Sequence, residues 1–266
     1  RIWSPVAPGE LQVTFLAVGH GDSIVVQLPN GYSILVDTGG DPTGYRDIGQ
    51  RTVVPALRAL GVKKLDAIVL THPHPDHFGG LKAVANEFEV SELWVNGCTA
   101  KQVGQSIPRE VRLRYPAMSS GHYQIGQVRI EALHPRQPVS GCYSKFSAND
   151  NSLVLRIQYG EFSILLTGDI EQKAESLLMK DRLLQKSTVL KVAHHGSKTS
   201  SSKLFLERVR PHLAIAQSAD QDPFPFPHQI IEERYKRLGI PLLVTGRHGA
   251  IQVQSDGKSW RLSRWR

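Results

Sequence analysis

The chain has 266 residues, of which 40% are hydrophobic and 21% are charged. This composition is typical of an ordinary globular protein with enough residues for a large buried core, and it excludes a disordered chain. No apolar run approaches the roughly 18 residues that a membrane-spanning helix needs, and no signal peptide pattern opens the chain. Because the first residue is Arg1 rather than Met, we expect residues 1–266 to be a single domain excised from a longer protein.

The charge of the chain favours a polyanionic partner such as a nucleic acid. The net charge is +8 and the isoelectric point is near 9.6, although many proteins are basic without binding one. The C-terminal stretch interleaves Trp260 and Trp265 with four basic residues. These tryptophans could stack on bases, lie at a lipid headgroup surface, or pack on a sheet as part of a final strand.

Only two cysteines are present, Cys98 and Cys142. They are too few for a zinc knuckle, which needs four soft ligands at short intervals. Two reduced thiols or a single disulfide remain open.

Strands and helices alternate along the chain. The first half has predicted strands at 11–18, 23–28, 32–39 and 65–72, and predicted helices at 50–61 and 77–88. The middle, 90–135, shows only short strands, at 92–97 and 128–135. The second half has predicted strands at 151–160, 162–169, 187–196, 212–218, 241–246 and 250–255, and predicted helices at 170–185, 201–210 and 230–239.

Polar side chains follow the apolar part of a predicted strand at four places, Asp37, His72, Asp169 and His194. Ligands in α/β folds bind at the carboxyl ends of strands. Two facing sheets with helices outside would therefore bring these four strand ends to one edge.

The stretch "THPHPDH", residues 71–77, carries three histidines and an aspartate within six positions. Imidazole and carboxylate together suit zinc, or manganese where oxygen ligands dominate. Ligands that leave one loop in different directions can hold two ions, which need a carboxylate from elsewhere as a bridge. The predicted metal ligands are His72, His74, Asp76, His77, Asp169 and His194.

Asp169 is the predicted bridge between the ions. His194 or His195 could complete the ion held by Asp76 and His77, and we choose His194 because it directly follows the strand. Four histidines outside this set are interpreted as structural or surface residues, namely His122, His134, His212 and His248.

These motifs, with "VDTGG" before them and "TGD" and "AHHGS" after them, resemble the metallo-β-lactamase fold superfamily. The resemblance runs from about residue 11 to 254. It implies an α/β fold of the four-layered αβ/βα sandwich type, with a dinuclear metal site at the edge of the paired sheets.

The sequence also resembles the C-terminal domain of the ComEC family of DNA-uptake channels, through segments at 13–40, 149–175 and 190–202. This resemblance implies a domain attached to a membrane channel protein, on the extracytoplasmic side of a bacterial membrane. DNA would be the substrate, and one strand would be degraded as the other enters the cell. The expected partners are DNA and the rest of the channel protein.

Two positions depart from these patterns. Where the superfamily supplies a third histidine to the first ion, this chain has Asn149, Asp150 and Asn151. We expect Asp150, an asparagine carbonyl or water to complete that ion, which favours manganese and leaves zinc possible. His20 replaces an expected glutamine, and it is either a neutral replacement or a residue at the edge of the site.

The resemblance implies a metal-dependent DNA nuclease with Asp76, Asp169 and His228 as catalytic residues. His228 would contact the scissile phosphate, although a histidine at a helix start is also a common cap neighbour. The predicted phosphate contacts lie at the start of a helix, and they are Ser197, Lys198, Thr199, Ser200 and Ser201. A flexible loop with an N-cap is the alternative for this serine run.

Two other functions remain open. The domain could hydrolyse a small phosphodiester or a lactone, because one fold supports many reactions. It could also bind DNA as a metal-stabilised module without cutting it.

Overall fold

The structure is a computed structural model, and it describes residues 6–104, 111–116, 121–136, 143–220 and 226–265. Cys142 lies outside these residues, while Cys98 is disulfide-bonded rather than a free thiol. Within the described ranges, no helix is both long enough and apolar enough to cross a membrane.

Two mixed β-sheets form the centre of the fold. The strands are β1 Leu11–Phe15, β2 Ile24–Gln27, β3 Ser33–Val36, β4 Leu65–Val69, β5 Val90–Trp94, β6 Arg112–Arg114, β7 His122–Ile125, β8 Val128–His134, β9 Val154–Tyr159, β10 Phe162–Leu166, β11 Val189–Lys191, β12 Leu213–Ala216, β13 Leu242–Val244, β14 Ala250–Ser255 and β15 Trp260–Trp265. The first sheet has the order β15-β14-β1-β2-β3-β4-β5-β6, and the second has the order β13-β12-β11-β10-β9-β8-β7.

Each sheet is antiparallel on one side and parallel on the other. In the first sheet, the strands from β3 to β6 run parallel. In the second sheet, the strands from β10 to β13 run parallel. The parallel strands connect through helices, and their carboxyl ends carry the polar loops.

The helices cover the outer faces of both sheets. They are α1 Val54–Ala59, α2 Pro75–Phe78, α3 Leu81–Glu87, α4 Gly97–Val103, α5 Gln172–Lys180, α6 Lys203–Val209, α7 Gln229–Arg237 and α8 Thr245–His248. A π-helical turn, Gly49–Val53, leads into α1, and short 3₁₀ turns occur at Asn149–Asn151 and Ala193–Gly196.

Three apolar clusters account for the layers. One lies between the sheets and includes Val13, Ile34, Ile157 and Ile164. A second joins the first sheet to α1 and α3, and a third joins the second sheet to α5, α6 and α7. Burial of this apolar surface is the main stabilising contribution, and the predicted four-layered sandwich is confirmed.

The predicted elements differ from the structure mainly at their ends and in the middle of the chain. The helix predicted at 77–88 is two short helices, because the chain turns at Gly79 and Gly80. Strands β6 and β7 and helix α4 were not predicted. The predicted final strand is confirmed, since β15 pairs with β14, although the Trp260 side chain within it is exposed.

Candidate metal centre

The loop after β4 holds most of the predicted ligands against two glycine-containing loops. A Cβ atom on Gly40 would overlap the Pro75 carbonyl, and one on Gly21 would overlap the Asp76 carbonyl. Only glycine permits this close approach of two backbones. As a result, the loops that follow β1 and β3 lie directly against the short helix α2.

Asp169 lies at the centre of the cluster. Its Oδ2 is 3.3 Å from His77 Nε2 and 3.3 Å from His195 Nε2. The same oxygen is 3.9 Å from His72 Nε2 and 3.9 Å from His194 Nε2. One carboxylate oxygen therefore faces four imidazole nitrogens, as a bridging ligand between two ions would.

The orientation of two of these rings is set from behind. His77 Nδ1 lies 2.8 Å from Asp37 Oδ2, and His195 Nδ1 lies 2.8 Å from the Gln217 carbonyl. Both partners only accept, so Nδ1 carries the proton in each ring. Nε2 of each ring therefore faces Asp169 and is the atom that would bind an ion once it gives up its own proton, which is the arrangement found in metal-binding histidines.

His72 is oriented by a chain of hydrogen bonds. The Thr71 hydroxyl donates its single proton to Asp37 Oδ2, at 2.7 Å, and so accepts from His72 Nδ1, at 3.1 Å. Asp37 also accepts from the Thr71 backbone N–H. His74 is half-buried beside His72, with the centroids of the two rings 4.6 Å apart.

The residues present fit divalent metal ions. The buried Nε2 atoms of His72, His77 and His195 have no hydrogen-bond partner within the part of the chain that the structure describes. Such atoms are costly to bury unless something binds them.

Ligand spacing supports the same conclusion. A tetrahedral ion with bonds of about 2.1 Å separates its ligand atoms by about 3.4 Å. Asp76 Oδ2 lies 3.6 Å from His77 Nε2 and 3.5 Å from His195 Nε2. Asp169 Oδ2 lies 3.3 Å from each of the same two nitrogens, so all four of these carboxylate–imidazole distances are close to the separation of ligands on one ion.

The charge of the cluster also favours cations. Four buried carboxylates converge here, those of Asp22, Asp37, Asp76 and Asp169. The buried Lys191 ammonium forms an ion pair with Asp22 and lies 3.4 Å from Asp169 Oδ1. Burial alone would lower the pKa of Lys191, but these carboxylates raise it above its usual value. One ammonium does not neutralise four carboxylates.

The excess negative charge of the carboxylates changes the pKa values of the nearby histidines. Burial alone would lower the pKa of His195, but Asp169 and Asp22 raise it to about 10. Burial lowers the pKa of His72 well below its usual value, and the positive charge of the nearby His77 lowers it further. Protonated imidazoles stand here in the place of cations.

The adjacent histidines occupy different positions. His195 is fully buried beside Asp76 and His77, whereas His194 is partly exposed near Asp169 and Glu171. In the structure it is therefore His195, rather than the predicted His194, that lies beside Asp76. Sequence alone could not decide between them, because the choice depends on the left-handed backbone of both residues.

Asp150 is not brought to the cluster. Its Oδ1 accepts hydrogen bonds from the backbone N–H groups of Glu171 and Ala174, at 2.9 Å and 3.1 Å. The carboxylate thus caps the start of α5.

The predicted phosphate contacts divide into two groups. Ser200 and Ser201 are fully buried; the Ser200 hydroxyl donates to the Ala193 carbonyl, and the Ser201 hydroxyl lies 3.3 Å from Tyr235 Oη. Lys198 and Thr199 are exposed.

Two further predicted residues lie at the rim of the loop 193–197. Ser197 is mostly buried, and its hydroxyl bonds with that of Thr199. His228 is exposed; its backbone N–H donates to the Gly196 carbonyl, and its side chain caps α7. His20 reaches the edge of the site, with Nε2 3.9 Å from Asp76 Oδ2.

Sequence reasoning missed Asp22, Lys191 and Gln217. Each supports a ligand from behind rather than facing the ions. Asp22 lies between the glycines and the strand in "GHGDS", and Lys191 is a charged residue in an apolar strand. A charged residue within an apolar strand, such as Lys191, was the feature of the sequence that could have indicated a buried ion pair.

Comparison with known proteins agrees with this geometry. The profile of the Metallo-beta-lactamase superfamily matches residues 16–97. "ComE operon protein 3" of Bacillus subtilis is 31% identical over 94% of this chain and 34% of its own length. The chain belongs to the metallo-β-lactamase superfamily. The superfamily implies divalent metal ions and hydrolase activity.

Further likenesses extend this assignment. "Competence protein ComA" of Neisseria gonorrhoeae is 34% identical over 93% of this chain and 33% of its own length. The structure of Igni18, titled a metallo hydrolase from Ignicoccus hospitalis, matches with a TM-score of 0.56 and 14% identity, covering 96% of this chain and 100% of that one. The predicted resemblance to the ComEC family is confirmed, and the chain spans about a third of the length of these curated relatives.

Proposed function

We propose that this metallo-β-lactamase domain is a metal-dependent nuclease that hydrolyses phosphodiester bonds of DNA during DNA uptake. The observation that carries the proposal is the position of Asp169 between two groups of imidazole nitrogens. Similarity to proteins named for competence and the net charge of +8 support DNA as the substrate.

Two sets of residues would hold the ions. His72, His74 and Asp169 would hold one, and Asp76, His77, Asp169 and His195 would hold the other. When bound, two such ions supply an activated water and neutralise charge on the phosphoryl group.

The protein's own residues orient these ligands and the substrate. Asp37 and Gln217 keep the lone pairs of His77 and His195 directed inward. Lys191 holds the outer oxygen of Asp169, so that its Oδ2 faces the imidazoles. Lys198 and Thr199 are the exposed groups of the neighbouring loop that would contact the phosphate backbone.

The partners and the location follow from the relatives. We propose that the domain is part of a membrane channel protein, that it lies on the extracytoplasmic side, and that it degrades one DNA strand there as the other strand enters the channel. His228 remains a candidate contact for the scissile phosphate, since it lies next to the loop that carries His194 and His195.

A cavity beside the cluster favours a second candidate function, hydrolysis of a small phosphodiester. It has a volume of about 860 Å³, and its lining includes His20, Tyr45, Arg46 and Phe226. Cavities of this size hold small organic ligands.

One experiment separates these functions. The purified domain is incubated with labelled single- and double-stranded DNA and with a chromogenic phosphodiester, in manganese, zinc or EDTA. Cleavage of DNA that EDTA abolishes supports the nuclease. Cleavage of the chromogenic diester alone supports the second candidate, and binding without cleavage supports a DNA-binding module.

The same assay tests the choice of metal. Beside its imidazoles, the His72 side of the cluster offers two oxygen donors, the Asp169 carboxylate and the buried Asn149 Oδ1, which is a larger share of oxygen than a compact zinc shell needs. We therefore expect metal-free protein to regain more nuclease activity with manganese than with zinc at matched occupancy. Higher activity with zinc would contradict this expectation.

A further inference from the structure

We propose that the adjacent histidines are divided between the two ions, so that His194 and Asn149 complete the ion held by His72 and His74. The inference rests on the two-ion site of the proposed function. It assigns ligands without reference to the substrate.

The backbone separates the two rings. His194 has φ of 48° and His195 has φ of 54°, both in the left-handed region. This conformation is unfavourable for a non-glycine residue, and it persists only where the surrounding structure holds it in place. The rings lie 6.1 Å apart and are inclined by 69°, so they face different parts of the cluster.

The ring nitrogens identify these parts. His195 Nε2 lies 3.5 Å from Asp76 Oδ2, while no ion-pair contact within 4.0 Å joins His194 to Asp76 in the described residues. His194 Nε2 instead lies 3.9 Å from Asp169 Oδ2, the same distance as His72 Nε2.

Asn149 faces the same space as His194. Its Nδ2 is 3.4 Å from His194 Nε2, and its buried Oδ1 has no hydrogen-bond partner within the described ranges. Rotation of the amide would present this oxygen as a ligand. The adjacent Asn151 side chain, which bonds to the Tyr143 and Ser147 carbonyls, holds the turn in place.

The other side of the His194 ring has a carboxylate. Nδ1 lies 3.3 Å from Glu171 Oε1, so a proton on Nδ1 faces Glu171 and leaves the Nε2 lone pair directed inward. His77 has a carboxylate at the equivalent position, with Nδ1 2.8 Å from Asp37 Oδ2, whereas the contact of His194 with Glu171 is longer and does not have hydrogen-bond geometry in the described residues. Glu171 is therefore a positioning residue for His194.

The test measures metal binding without substrate. Metal-free protein is titrated with Mn²⁺, and free Mn²⁺ is followed by electron paramagnetic resonance. We expect two bound ions in the wild type. In His194→Ala, one ion should bind with unchanged affinity. The affinity for the other ion should fall by about 10- to 100-fold or more, the loss typical when a residue that supports a metal ligand is removed.

Further variants define the assignment. Asn149→Ala and Glu171→Gln should weaken the same ion as His194→Ala, and His195→Ala should weaken the other. Visible spectra of the Co²⁺-loaded proteins should show that His194→Ala and His195→Ala change different absorption bands. His212→Ala serves as the control. It removes an exposed histidine that precedes the start of β12, whereas Gln217, which contacts His195, follows the end of that strand.

Binding of two ions with unchanged affinity in both His194→Ala and Asn149→Ala would overturn the proposal. So would weakening of the same ion by His194→Ala and His195→Ala. Thermal unfolding of the metal-free variants checks that each protein is folded. Because no DNA is present, these measurements test the ligand assignment even if the protein does not cleave DNA.

Discussion

Asp169 combines three contacts that a different side chain could not make together. Its Oδ2 faces the imidazoles of His77 and His195, and its Oδ1 faces the Lys191 ammonium. Asparagine has the same shape but lacks the charge. A single substitution therefore separates the electrostatic role of this residue from its packing.

We expect Asp169→Asn to lower DNA cleavage by about 100-fold or more, since loss of a direct ligand exceeds loss of an outer partner. Initial rates on labelled DNA at saturating Mn²⁺ provide the measurement. Ser200→Ala is the matched control, because within the described ranges its buried hydroxyl bonds only to the Ala193 and Ser197 carbonyls. It should weaken cleavage only modestly. A wild-type rate in Asp169→Asn would exclude the two-ion mechanism.

At the scale of elements, Glu175 connects α5 to the loop that precedes α6. Its two carboxylate oxygens accept the backbone N–H groups of Ser201 and Ser202. The side chain is fully buried. The start of α6, which sequence suggested as a phosphate site, is therefore already occupied by an internal carboxylate.

We expect Glu175→Ala to lower the free energy of unfolding by about 1–3 kcal/mol, because two buried donors lose their acceptors. Urea denaturation provides the measurement. Glu207→Ala on α6 is the control, since its exposed pair with Lys203 contributes about 0.5 kcal/mol or less. Equal losses in the two variants would contradict the linking role of Glu175.

His134 connects β8 to the 3₁₀ turn that carries Asn149. Its Nε2–H donates to the Asp150 carbonyl, at 2.6 Å, and burial lowers its pKa to about 4. In the unfolded chain a histidine has a pKa of about 6.5. Between these values the unfolded state binds more protons, so the free energy of unfolding rises with pH.

The contribution of His134 is therefore complete above about pH 6.5 and is lost as the pH falls toward 4. We expect His134→Gln to lower the slope of unfolding free energy against pH in this window, by up to about 1.4 kcal/mol per pH unit. Urea denaturation of metal-free protein at several pH values measures it. The other titratable groups are the same in the wild type and in His134→Gln. An unchanged slope would therefore show that His134 does not cause the dependence of unfolding free energy on pH.

Elements and ligands differ in how well sequence predicts them. The motif at 71–77 and the carboxyl ends of β4 and β10 could be predicted, because residue spacing and the alternation of apolar and polar residues are visible in short stretches of sequence. The position of His195 was not, since it depends on two left-handed residues that sequence does not reveal. The roles of Asp22 and Lys191 depend on contacts between distant segments.

At the scale of the whole molecule, the candidate ligands come from both sheets. His72, Asp76 and His77 follow β4 of the first sheet, whereas Asp169 and His195 follow β10 and β11 of the second. Bound ions would thus connect the two halves of the sandwich. Without them, the buried carboxylates are balanced mainly by Lys191 and protonated histidines.

Removal of metal should therefore destabilise the entire fold. An ion present at 100 times its dissociation constant stabilises the folded state by about 2.7 kcal/mol, and each kcal/mol shifts the melting temperature of a domain of this size by about 2–4 °C. Two ions at that concentration contribute about 5.4 kcal/mol, so we expect EDTA to lower the melting temperature by about 11–22 °C, and Mn²⁺ to restore it, in differential scanning calorimetry. Asp169→Asn should show little of this metal-dependent shift, because it lacks the carboxylate common to both ions. A shift as large in Asp169→Asn as in the wild type would show that the stabilising ions bind elsewhere.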